Sequence, residues 1–138
     1  MRLVELDPRL VRYETREEPV EVVQGDEATW RDRGCPTNTV VKPVQHIIIV
    51  PTLAEAQGLW FLCPKCFVAN KGAIGTHQVD VAFEGRGALG RQGSHGMGGI
   101  LTRWELTGTG LQDLTLRPSI LLVGGCAWHG YITNGEVQ

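Results

Sequence analysis

Leu59-Trp60-Phe61-Leu62-Cys63-Pro64-Lys65-Cys66 is a short apolar run that ends in a pair of cysteines two residues apart in spacing. Its counterpart is Ser119-Ile120-Leu121-Leu122-Val123-Gly124-Gly125-Cys126-Ala127-Trp128-His129, a second apolar run that delivers a cysteine and a histidine at the same spacing. Both runs have strand length and are bounded by turn residues. Two ligand-x-x-ligand steps supply four ligands, the number a tetrahedral zinc ion takes in a closed site. The 59 residues between the knuckles exceed what a compact zinc finger uses, so the metal would join segments distant in sequence. The expected ligands are Cys63, Cys66, Cys126 and His129, with Zn2+ as the cofactor.

Other readings of these residues are weaker. A thioredoxin-like redox pair belongs at the start of a helix in a βαβ unit, whereas Phe67-Val68-Ala69-Asn70-Lys71-Gly72 runs quickly toward a turn. Cys126 taken alone would pass as a small buried hydrophobe and His129 as a core histidine. Cys35, in Gly34-Cys35-Pro36, has no partner at ligand spacing and reads as a free thiol, or as a replacement for His129.

The chain has 138 residues, 42% hydrophobic and 20% charged, with a net charge of −2. Those values are those of one globular domain, 1–138, with enough length for a sizeable core. Charge recurs every two or three residues from Met1 to Asp7, unlike a signal-peptide core. No apolar run approaches the roughly 18 residues that cross a bilayer. The expectation is a cytoplasmic protein with no membrane partner. The absence of a basic cluster argues against nucleic acid as a partner. Nine of the fifteen acidic residues fall in the first 32 positions and read as a solvated face.

Most of the apolar pattern alternates as strands do. Val11 and Tyr13, Val20 and Val22, Gln78 to Phe83, and Leu101 to Leu106 follow a period of two. Ile47-Ile48-Ile49-Val50 ends at Pro51 and predicts a buried strand. Helical period is poor; Thr52 to Gly58 allows two turns at most, with Thr52 and Glu55 at capping-box spacing. Seven glycines in the fifteen residues from Gly85 to Gly99 predict a flexible loop at about 84–99, joining two strands or acting as a lid. The expected fold is mainly β, a small antiparallel-sheet domain clipped by the zinc knuckles.

The remaining chemistry is sparse. Serine occurs only at Ser94 and Ser119, and the histidines beyond His129 are His46, His77 and His95. His77 begins a strand after the turn at Gly75, where a rigid scaffold meets an accessible edge. Ser119 follows Pro118 at the start of the second apolar run. A serine beside a histidine would be an acyl-transfer nucleophile with its base. Thr107-Gly108-Thr109-Gly110 would offer backbone N–H groups to an oxyanion, and Asp113 would orient the histidine. The plainer reading leaves Ser119 as a strand-start hydroxyl. There is no H-E-x-x-H, no H-x-H and no H-x-E beside the first knuckle, which excludes thermolysin-type and JAMM-type peptidases and zinc nucleoside deaminases.

Three blocks together resemble a known family. They are Phe61-Leu62-Cys63-Pro64-Lys65-Cys66-Phe67 with Gly75-Thr76-His77, then Gly108 to Ile120, then Gly125-Cys126-Ala127-Trp128-His129-Gly130-Tyr131-Ile132-Thr133-Asn134-Gly135. The chain is similar to the BubE-like family, small bacterial and phage proteins whose phage members often carry the label "ammonia monooxygenase". Nothing in this chain supports that label. The resemblance covers residues 1–7 and about 59–138. It implies a peptidase that processes or removes a ubiquitin-like protein, its natural partner and substrate, in the bacterial cytoplasm. Carried over, it makes Cys63, Cys66, Cys126 and His129 zinc ligands and His77 and Ser119 catalytic. Gln78 departs from the family pattern, which has a serine after the histidine. Two further readings stay open: a hydrolase whose zinc is itself catalytic, and a non-catalytic zinc-stapled module that binds another protein.

Overall fold

The computed structural model describes residues 1–23, 25, 31, 34, 37–88 and 102–138. Cys35, Ser94, His95, Leu101 and the glycine-rich loop from residue 89 onward lie outside the described residues. The fold is mainly β, as the alternating pattern predicts. Eight strands occur in chain order: β1 Arg9–Val23, β2 Thr37–Ile49, β3 Gly58–Leu62, β4 Gln78–Ala82, β5 Glu105–Thr107, β6 Thr115–Leu121, β7 His129–Thr133 and β8 Glu136–Val137. They form two four-stranded sheets, ordered β2-β1-β3-β4 and β5-β6-β7-β8. Among the described residues one short α-helix, α1, spans Pro64–Asn70, and a 3-10 turn spans Leu3–Leu6.

The chain divides into two compact units. The smaller, Tyr13–Ile47, contains the outer parts of β1 and β2. Its described side chains are half-buried or exposed, and polar contacts link some of them. His46 Nε2 lies 2.6 Å from Glu18 Oε1, and Arg16 donates to Glu14 at 2.7 Å.

The larger unit, Met1–Arg12 with Ile48–Gln138, holds the core and every ligand-bearing residue considered below. Leu59, Phe61, Val79 and Val81 from β3 and β4 meet Leu116, Ile120 and Ile132 from β6 and β7. Trp104 and Phe83 fill the space beside them, each about 1% exposed or less. The Phe61 and Trp128 rings meet edge to face with centroids 6.0 Å apart, so the second knuckle is anchored on β3. The β3–β4 register is antiparallel, from Gly58↔Ala82 to Leu62↔Gln78, and a single parallel bridge joins Phe83 to Trp104. Between β6 and β7 the register slips between Leu116 and Ile120, across the cis Arg117–Pro118 bond.

Three local expectations are corrected. A helix does follow the first knuckle: Cys63 stands at the N-cap, Pro64 at the first turn where its missing N–H costs nothing, and left-handed Lys71 ends it. Thr52 to Gly58 forms turns instead of a helix, although Thr52 Oγ1 does donate to Glu55 at 2.7 Å. The Ile47–Val50 run is not a buried strand throughout, since Ile49 is 59% exposed and only Val50 is buried. The hairpin β7–β8 has its own sequence signal, which the reading above passed over. Asn134-Gly135 forms the turn with φ of 48° and 74°, the two positive values that a two-residue hairpin of this type needs.

Phe61 is a fully buried aromatic in the core cluster that draws on strands of both sheets. Phe61→Ala should lower unfolding stability by about 3–5 kcal/mol, the range for truncating a buried aromatic. Chemical denaturation checks it; a loss under about 1 kcal/mol would place the shared core elsewhere.

Candidate functional site

β3 leads directly into Cys63, which is fully buried, and the first turn of α1 returns Cys66 to the same side. The β3–β4 pairing then does something the linear spacing does not reveal. Leu62 pairs with Gln78, and Cys63 N–H donates to the His77 carbonyl at 2.9 Å, so His77 stands beside Cys63. β6 and the turn Val123-Gly124-Gly125 bring in Cys126, whose Sγ lies 3.6 Å from Cys63 Sγ and 3.2 Å from His77 Nε2. Lys65 Nζ donates to the Cys126 carbonyl at 2.7 Å, which ties the two knuckle segments together from outside.

The ligand atoms of Cys63, Cys66, His77 and Cys126 all lie within 4.8 Å of one another. A tetrahedral ion with metal–sulfur bonds of about 2.3 Å and metal–nitrogen bonds of about 2.05 Å has ligand edges of about 3.6–3.8 Å. The Cys63–Cys126 contact of 3.6 Å matches those edges, the His77–Cys126 contact of 3.2 Å is somewhat shorter, and the other separations stay within 4.8 Å. The four residues can therefore hold a metal ion, and three sulfurs with one imidazole are compatible with zinc. Electrostatics point the same way. Burial pushes the Cys63 thiol up to about 12, with the Cys126 contact adding to it, and burial also raises Cys66. Burial works against the Cys126 thiolate too, yet hydrogen bonds from His77 and the Trp128 backbone bring that thiol down to about 6. Three thiolates at this separation repel one another, and a divalent cation relieves that repulsion while displacing the protons.

His129 is not among the four. Ala127 takes a left-handed φ of 52°, Leu122 N–H bonds to the Trp128 carbonyl, and the chain enters β7 at His129 with its side chain exposed. His129 Nε2 lies 2.9 Å from Ser119 Oγ. The expected roles of the two histidines are thus exchanged: His77 joins the cysteines and His129 faces the serine. Gly130, next along β7, permits the close approach of the Trp128 ring and the Gln138 carbonyl, where any Cβ would collide.

Ser119 is half-buried on β6, and its carbonyl accepts from the Trp104 indole at 3.3 Å, which fixes the main chain beneath the hydroxyl. The His129 ring tilts by 31° against Tyr131 with centroids 6.3 Å apart. Ser119 and Tyr131 line a groove of about 620 Å³, a volume in the range that ligand sites occupy. Asp113 does not orient a histidine. Its carboxylate accepts from Thr109 Oγ1 at 2.8 Å and from the Thr109 and Gly110 N–H groups, which hold its pKa below the ordinary value and stitch the 108–113 turn. Those two N–H groups are consequently engaged and do not face an oxyanion. Among the described residues no carboxylate contacts the His129 ring. A smaller cavity of about 230 Å³ opens beside His77 and Cys126, along Leu122 to Gly125.

No model of a known protein family, no curated protein and no solved structure matches this chain. Among the described residues, no helix is long and apolar enough to cross a membrane.

Protein purified without chelator should carry about one metal ion per chain. Cys126→Ser and His77→Ala should each lose most of it, whereas His129→Ala should keep it, as read by elemental analysis. Metal lost with His129→Ala and kept with His77→Ala would restore the linear-spacing assignment.

Proposed function

We propose that this protein is a zinc-stapled hydrolase of the peptidase type, with Ser119 as nucleophile and His129 as its base. The observation that carries the reading is the 2.9 Å contact between Ser119 Oγ and His129 Nε2 at the edge of the 620 Å³ groove. That distance lies within the reach a general base needs. The Ser119 proton passes to His129 as Oγ bonds to the scissile carbonyl carbon. The carbon–nitrogen bond then breaks, and the amine leaves with the proton from the imidazolium. Water repeats the sequence on the acyl-serine, with His129 again taking and returning the proton. The Tyr131 phenol, in the same groove, would donate to the developing oxyanion in place of the engaged 109–110 amides.

Zinc is the ion proposed for Cys63, Cys66, His77 and Cys126, and its role is structural because a full set of four protein ligands leaves no position open. It would fasten the end of β3 to the segment after β6, which holds the sheet carrying Ser119 and His129. The resemblance to the BubE-like family supports a ubiquitin-like protein as substrate. A second reading keeps the metal centre as the catalyst, favoured by the 230 Å³ cavity beside His77 and Cys126. Zinc would supply Lewis-acid chemistry there if one ligand withdrew.

A fluorophosphonate probe should label wild-type protein at Ser119. Ser119→Ala should abolish labelling and His129→Ala should slow it by about 100-fold or more, as loss of a general base does. Peptide cleavage undiminished in Ser119→Ala would move the chemistry to the metal centre. Neither labelling nor cleavage, with metal and fold intact, would leave the binding-module reading.

A further inference from the structure

The groove beside Ser119 carries an arrangement that the acyl-transfer chemistry does not use. Arg103 and Arg117 line it together with Glu84 and Glu105. Arg117 and Glu105 are partners across the β5–β6 pair, the position where opposite charges ordinarily meet. Yet no ion pair within 4.0 Å joins any of these four side chains to another described residue. Elsewhere the molecule does pair its arginines, as Arg2 with Glu136 at 3.1 Å and Arg9 with Asp7 at 3.2 Å.

We infer that Arg117 is a recognition residue for a substrate carboxylate lying within about two residues of the scissile bond. This rests on Ser119 being the nucleophile. Arg117 and Ser119 are two positions apart on one strand, so their Cα atoms are separated by at most about 7 Å. An extended substrate advances about 3.3 Å per residue, so a carboxylate held by Arg117 sits one or two residues from the carbonyl at Ser119. The planar guanidinium matches a carboxylate with two parallel hydrogen bonds, a geometry no ammonium reproduces. Two carboxylates balance two guanidiniums in the groove, which disfavours a polyanion and suits a peptide with a single negative group near the cleavage point. Glu84 and Glu105 remain to accept from its backbone or from a basic side chain. The carboxylate has two sources, an aspartate or glutamate side chain or the C-terminal carboxylate of the substrate chain.

The test separates recognition from cleavage by measuring binding to the Ser119→Ala protein. Fluorescein-labelled hexapeptides of alanine and glycine serve as probes. One is amidated and carries a single glutamate, one has a free C-terminal carboxylate, and one is amidated with neither. At least one of the first two should bind about 10-fold or more tightly than the neutral peptide, the worth of one charge-assisted contact. The tighter of the two names the source. Adding Arg117→Ala should erase that preference, and Arg117→Lys should restore only part of it. Arg117→Gln repeats the measurement should the alanine variant misfold. Equal binding of all three peptides, or a preference that survives loss of Arg117, overturns the inference. A preference that follows Arg117 while wild-type Ser119 resists the fluorophosphonate probe keeps the carboxylate site and removes the hydrolase.

Discussion

The contact between Cys63 and Cys126 is the constraint on which the rest of the larger unit depends. The two sulfurs lie 3.6 Å apart although 62 residues separate them, and they belong to segments that leave different sheets. Beside them, the Phe61–Trp128 edge contact and Lys65 reaching the Cys126 carbonyl also join β3 and α1 to the segment after β6. Burial raises the Cys63 thiol, while hydrogen bonds from His77 and the Trp128 backbone lower the Cys126 thiol. Thiolates at this separation repel one another, and a cation held between them would turn that repulsion into a clamp.

The clamp bears on the serine–histidine pair through β6 and β7. Both Ser119 and His129 lie within ten residues of Cys126, one before it and one after, and the turn through Gly124 and Gly125 sets their approach. The Trp104 indole holds the Ser119 carbonyl from the core side. Metal site and hydroxyl–imidazole contact are therefore neighbours in the chain but face different surroundings. One gathers a buried and two half-buried sulfurs with an exposed imidazole, the other sits at a solvated groove. A metal ion held by the four residues would act on the groove through the backbone of β6 and β7.

Much of the outline was legible in the sequence. Alternation marked β4, because a strand with one face in the core must repeat every two residues, and short apolar runs bounded by turn residues marked β3 and the end of β6. The cysteine spacings marked three of the four ligands, because sulfur ligands held from one turn recur at this interval. Less was legible where the signal was short or shared. The α1 helix is only seven residues long and leaves no amphipathic period to detect. Asn134-Gly135 announced a hairpin, and with it a strand beginning at His129, had that dipeptide been weighed.

Which histidine joins the cysteines was decided by tertiary structure alone. Linear spacing favoured His129, three positions after Cys126, over His77, eleven after Cys66. Antiparallel pairing of Leu62 with Gln78 places His77 beside Cys63 at no cost in loop length, since the strand register does the work of proximity. The left-handed turn at Ala127 and entry into β7 rotate His129 to the opposite, exposed side, where Ser119 meets it. The sequence by itself determined the β class and three of the four side chains that cluster, Cys63, Cys66 and Cys126. Strand register, a non-local property with a period of two, decided which side chains met.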